Sequence, residues 1–278
     1  MIGDDARGKQ SWIRTIEQPF WRRVGLLVGL LVVGLSVLLT FAPIPQDPDY
    51  HMFADTRPLL GIPNFNDVVS NAGFAVVGAL GILTVVGRRR RHVFAHRSDV
   101  SPYLVFFVGV ALVSLGSPYY HWAPSNDRLL WDRLPISIAF MAFCSAVVAD
   151  RIDARAGNTW LMPVLIGCGI LSLLYWHWTE SLGRGDLRFY GFVQFFPLIV
   201  VPAVCGLYPE YRYIASRYIV WMIGWYGLSK LLEHFDGEVF DLLGHTVSGH
   251  TLKHLAAAMA TLVVLQMLLT RRRRAEAP

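Results

Sequence analysis

The chain has 278 residues, of which 54% are hydrophobic and only 16% charged, with a formal net charge of +5. That balance excludes an ordinary soluble domain, and the gathering of apolar residues into long blocks predicts an all-α, polytopic membrane helix bundle. The positive charge sits in clusters that flank those blocks, so it is a topology signal and not the footprint of a nucleic-acid partner.

The first predicted span covers residues 24–42 and follows the basic residues Arg7, Lys9, Arg14, Arg22 and Arg23. A signal peptide begins in the same way. This apolar block is longer than a signal core, and Ala42 followed by Pro43 offers no convincing small-x-small cleavage site, so a retained anchor is favoured. The stretch 43–65, with five prolines and several Asp and Asn residues, predicts an ordered loop over the outer end of the bundle. Seven further blocks follow at 67–86, 101–122, 134–149, 160–178, 189–207, 213–235 and 247–269, giving eight spans in all.

Basic residues in short loops stay on the cytoplasmic side. The run 88–91 and Arg97 lie between the second and third spans, and the run 271–274 follows the eighth. An even number of spans puts these and the basic amino terminus on one side, whereas Asp47, Asp49, Asp55, Asp236, Glu238 and Asp241 fall on the other. Both termini are therefore expected in the cytoplasm. The chain divides into a basic segment with the first span (1–42), an extracytoplasmic loop (43–65), a helical core (66–270) and a basic tail (271–278). Cys144, Cys168 and Cys205 each lie in a predicted span at no metal-like spacing, so they are expected to be small buried apolar residues without disulfides.

Polar groups at membrane depth are costly and are usually kept for function. Ser117 and His121 in GSPYYHW, Asp132 in LLWDRLP, and His250 and His254 in SGHTLKHL all fall towards the outer ends of their spans. Histidines four apart share a helix face and can reach one ion, and a third imidazole from another helix leaves a tetrahedral zinc with one open position, the pattern of a catalytic site. Ser117 stands one turn before His121, although Pro118 removes a backbone hydrogen bond there. Asp132 is expected just before its span, returned towards His121 by the loop 123–133. Asp132 then suits a proton shuttle and Ser117 a donor to a developing oxyanion. His177, between Trp176 and Trp178, reads as an interfacial aromatic-belt residue, and His245 as a rival ligand displaced by the turn at Gly244. Lys230 and Glu233, one turn apart in the seventh span, form either a buried ion pair or part of a headgroup pocket; Arg184, Asp186 and Arg188 read as solvated charges.

The order SxxxH, an aspartate eleven residues after that histidine, and HxxxH in the last helix resembles the alkaline ceramidases, within a seven-helix superfamily that also holds the adiponectin and progestin receptors. The resemblance covers residues 63–269, a seven-helix ceramidase-like core preceded by one extra N-terminal transmembrane helix. It implies that His121, His250 and His254 bind Zn2+, and that Ser117 and Asp132 complete a site for hydrolysis of a lipid amide. The family's calcium segment ends in a glutamate shortly before a Ser-Asn pair. Here that place in NFNDVVSN is Asn64, with few acids upstream apart from Asp55, so calcium does not carry over. The expected partner is a long-chain lipid entering sideways from the bilayer, with no nucleic acid and no obligate protein partner. Two other readings stay open: a receptor-like or structural member in which zinc fixes the fold, and a haem carrier, which a ligand pair on one helix suits poorly.

Overall fold

The computed structural model describes residues 5–87 and 93–270, with side chains from Pro19 onwards. The basic runs at 88–91 and 271–274 lie outside the described residues. Among the described residues the chain is helical throughout, without a strand; one isolated bridge joins Leu59 to Ile62. The helices are α1 (Asp5–Thr40), α2 (Phe65–Val69), α3 (Ala72–Val86), α4 (Val100–Trp122), α5 (Asn126–Arg151), α6 (Met162–Ser181), α7 (Arg188–Phe195), α8 (Pro197–Leu207), α9 (Ser216–His234), α10 (Asp236–Leu242) and α11 (Gly249–Thr270).

Among the described residues, seven stretches are long and apolar enough to cross a membrane: Pro19–Thr40, Phe65–Val86, Arg97–Trp122, Asn126–Arg151, Ala154–Ser181, Arg188–Leu207 and Gly249–Thr270. Their outward faces carry Leu26, Val32, Val76, Leu83, Leu115 and Leu171, whereas Ser117, His121, Arg133, His250 and His254 are buried. Apolar outside and polar within is the distribution that a lipid solvent selects, and the protein is a multi-pass membrane protein. The helix α9 has 19 residues but holds Arg217, Lys230 and Glu233, and it is not among the seven.

Small residues set the closest helix approaches, as in membrane bundles generally. A Cβ on Gly116 of α4 would strike the carbonyl oxygen of Trp131 on α5, and one on Gly78 of α3 would meet the backbone of Ala111 on α4. The first of these contacts brings Ser117 alongside Asp132. Gly249, at the start of α11, has the Leu232 carbonyl and the Asp236 Cα where its Cβ would be, which seats α11 against the end of α9. The α1 helix is peripheral: Gly34 rests on Phe192 and Phe196, and the Phe20 and Tyr208 rings meet at 6.3 Å.

Three expectations need correction. Asp132 is not in a loop, because the Ser125 hydroxyl accepts from Arg128 N at 3.3 Å and starts α5 at Asn126, so the turn between α4 and α5 is short and Asp132 stands on the helix itself. Asp186 is not solvated: it is 1% exposed and holds the Arg188 guanidinium at 2.8 Å, with Tyr175 donating to the same oxygen at 3.3 Å. Cys168 is exposed on the outer face of α6, while Cys144 and Cys205 are half-buried, and all three thiols are free.

Candidate metal centre

The three histidines meet because α4 and α11 end at the same face of the bundle. His121 is in the last turn of α4; His250 and His254 are in the first turns of α11. The Ser248 hydroxyl accepts from Thr251 N at 3.0 Å, and the Asp236 carboxylate accepts from His250 N at 2.6 Å, so two side chains satisfy free amides at the start of α11. His121, His250 and His254 are 1%, 4% and 5% exposed, and one ligand atom from each lies within 4.8 Å of the others.

One pair in the triad already stands at the spacing that an ion requires. His121 Nε2 and His250 Nε2 stand 3.4 Å apart. Ligand nitrogens on a tetrahedral ion with bonds of about 2.0–2.1 Å are about 3.3 Å apart. A metal on His254 Nε2 requires the proton on Nδ1, where the Ser70 oxygen, 2.7 Å away, can accept it while the Ser70 hydroxyl donates to the Asp67 carbonyl at 3.2 Å. The lone pair of His254 is then on Nε2, the nitrogen left for a metal, and a hydroxyl oxygen orients the ring from behind, as protein ligands to metals usually require. The buried triad can hold a metal ion.

The loop ahead of α2 closes the site. Phe53 packs its ring against His121 at 4.8 Å and His250 at 4.5 Å. The Asp236 carboxylate that caps α11 also accepts from Ala54 N at 2.9 Å, and Asn64 Nδ2 donates to the His121 carbonyl at 2.8 Å. Further out, Arg57 holds both oxygens of Asp55 at 2.7 Å and donates to the Thr246 carbonyl, and Asn66 donates to Asp55 at 2.8 Å. Burial disfavours the Asp55 carboxylate, but the hydrogen bonds from Arg57 and Asn66 outweigh it and hold its pKa below the usual 3.8. Asp67, fully buried on α2, accepts from the Thr251 hydroxyl at 2.6 Å and ties α2 to α11.

Beside the triad opens a cleft of about 160 Å³. Its inner length is apolar, walled by Phe106, Val110, Phe143, Leu198, Val201 and Ile223. Its end at the triad is polar, with Ser117, Asp132, Arg133, Lys230, Glu233 and Lys253 beside His254. Ser117 and Asp132 lie beside one another at this end. Lys230 and Glu233 form a half-buried ion pair at 2.7 Å and both line the cleft, so the pair and a polar pocket coincide there, and Lys253 joins the same carboxylate at 2.5 Å.

The two other histidines weighed in the sequence fall elsewhere. His245 has φ of +59° in the turn before α11 and lies 3.5 Å from Asp241, and His177 bonds Asp127 at 3.0 Å. Sequence reasoning missed Phe53, Ser70 and Lys253 as members of the site. A phenylalanine in a loop and a lysine between two ligands carry no local signal; only the Ser-Asn pair at Ser70 and Asn71 marks the helix that supports His254.

Fold and site together define a multi-pass membrane protein whose bundle encloses a three-histidine candidate metal centre at the mouth of an apolar cleft. No protein-family model matches the chain.

Proposed function

We propose that the protein is a zinc-dependent hydrolase of lipid amides, of the alkaline ceramidase type. One observation carries this reading: the three-imidazole cluster reaches the cleft through His254, which lines its polar end with Ser117 and Asp132, while the remaining length of the cleft is apolar. An acyl chain lying along that cleft brings its amide carbon to the triad, and burial of the chain at about 0.8 kcal/mol per CH2 supplies the binding energy. Bound zinc supplies a coordinated water with a pKa near 7. Asp132 accepts the proton of the attacking water and returns it to the leaving amine. Ser117 donates to the carbonyl oxygen as it gains charge. Phe53 and the loop around it keep bulk water off the triad, which strengthens each of these interactions.

In the membrane, α9 serves as a further span, its Lys230 and Glu233 turned into the cleft and neutralised there. That gives eight spans, an extra α1 ahead of a seven-helix core, with both termini cytoplasmic and the triad towards the extracytoplasmic leaflet. The test is incubation of the detergent-purified protein with a panel of ceramides and other N-acyl lipids, with release of free fatty acid as readout. Cleavage that is abolished by chelation and restored by zinc supports the reading; a zinc-loaded protein that cleaves no member of the panel refutes it and favours a structural or receptor-like role for the metal.

A further inference from the structure

The polar end of the cleft holds more positive charge than the proposed chemistry uses. Arg133, Lys230 and Lys253 line it against only two carboxylates, Glu233 and Asp132. Both ammonium groups fall on Glu233, Lys230 at 2.7 Å and Lys253 at 2.5 Å, and Tyr50 donates to it as well at 3.2 Å. One carboxylate therefore balances two lysines.

Arg133 makes no ion pair among the described residues, although Tyr50 hydrogen-bonds its guanidinium and the Asp132 charge lies near. It is 6% exposed, and its guanidinium lies over the rings of Trp176, Tyr190 and Tyr50 at 4.6, 4.8 and 5.2 Å. Ring faces attract a cation but accept no directed hydrogen bond comparable to a carboxylate's. Among the described residues, Arg133 Nη1 has no hydrogen-bond partner although it is shut off from solvent, and Arg133 forms no ion pair. A buried charged donor without an acceptor is expensive, and an acceptor from a bound molecule would complete it.

We propose that the missing partner is an acid group on the substrate: the lipid amide carries a carboxylate or phosphate on its amine half, which docks on Arg133 within the surplus positive charge of Lys230 and Lys253. This assignment rests on the reading of the cleft as a lipid-amide site. It sets the headgroup at the polar end and the acyl chain along the apolar walls, and it separates N-acyl amino acids and phosphate-bearing amides from neutral ceramides.

The test is equilibrium binding to the full-length, zinc-loaded protein in detergent. The probes are the uncleavable pair N-(hexadecylsulfonyl)serine and its neutral serinamide, with the phosphate ester of N-(hexadecylsulfonyl)ethanolamine as the phosphate arm and hexadecanoate as the product arm. Hydrogen bonds to a charged group predict that the acid binds about ten- to a hundredfold more tightly than the amide. Whichever of the carboxylate and phosphate probes binds more tightly identifies the acid. In Arg133→Gln the preference should fall to near one, and Arg133→Lys should restore part of it. Equal binding of acid and amide to the wild-type protein overturns the inference and leaves the hydrolase reading intact. Hexadecanoate binding as tightly as the serine conjugate also overturns it, by assigning the charge to the product acid. No saturable binding of any probe removes the cleft as a lipid site, and the hydrolase reading with it.

Discussion

Replacing Ser70 by Ala removes the one acceptor that holds His254 from behind. With a metal on Nε2 the Ser70 oxygen takes the His254 Nδ1 proton at 2.7 Å, whereas the Asn71 atom facing the same nitrogen at 3.5 Å is Nδ2, a donor that also bonds the Asp67 carbonyl at 2.7 Å. The variant therefore leaves a buried N–H unsatisfied, at a cost of about 1–3 kcal/mol. Loss of an outer partner to a ligating imidazole typically weakens a metal site about 10–100-fold, or about 1.4–2.7 kcal/mol, so two separate routes give the same magnitude. The assay is competition for zinc between the purified protein and a fluorescent chelator, with Ser70→Thr as the control that keeps the hydroxyl. Wild-type affinity in Ser70→Ala would show that the hydrogen bond does not orient a metal ligand.

Asp132→Asn and Ser117→Ala should retain bound metal but lower turnover, Ser117→Ala by about 100–1000-fold if it is an oxyanion donor; full activity in Asp132→Asn removes it from the mechanism. The Asp55 pKa is depressed in the folded state, so its contribution is complete above the unfolded value of about 3.9 and is lost as pH falls through the lower folded value. Thermal unfolding in detergent should therefore fall off more steeply below about pH 4 in the wild-type protein than in Asp55→Asn, and parallel profiles would contradict the pairing with Arg57. In a background lacking Cys144, Cys168 and Cys205, Pro124→Cys and Leu243→Cys should react with a membrane-impermeant thiol reagent in intact cells, whereas Arg89→Cys should not; the reverse pattern inverts the topology.

Much of this site is readable from local spacing. The pair His250 and His254 shares a face wherever α11 forms, and Ser117 and His121 do the same on α4, because a four-residue step is about one helical turn. What local spacing cannot carry is how far a helix extends into polar sequence. Asn126, Asp127, Arg128, Asp132 and Arg133 break the apolar period, so the block at 134–149 hides the eight residues that Ser125 adds by capping α5. The block at 213–235 reads as a span in the sequence, yet Lys230 and Glu233 lower the hydropathy of α9, which is not among the seven stretches apolar enough to cross, and both side chains line the cleft. Contacts between distant elements leave no trace at all. Lys253 meets a glutamate on another helix, Phe53 reaches two histidines from a proline-rich loop, and Arg133 finds three aromatic rings from three segments.

The central claim is that His121, His250 and His254 hold one zinc ion, and the metal content of the purified protein tests it most directly. The wild-type chain should carry one zinc, His177→Ala and His245→Ala should keep it, and His121→Ala, His250→Ala or His254→Ala should lose most of it together with activity. Stoichiometric zinc in His250→Ala would contradict the assignment.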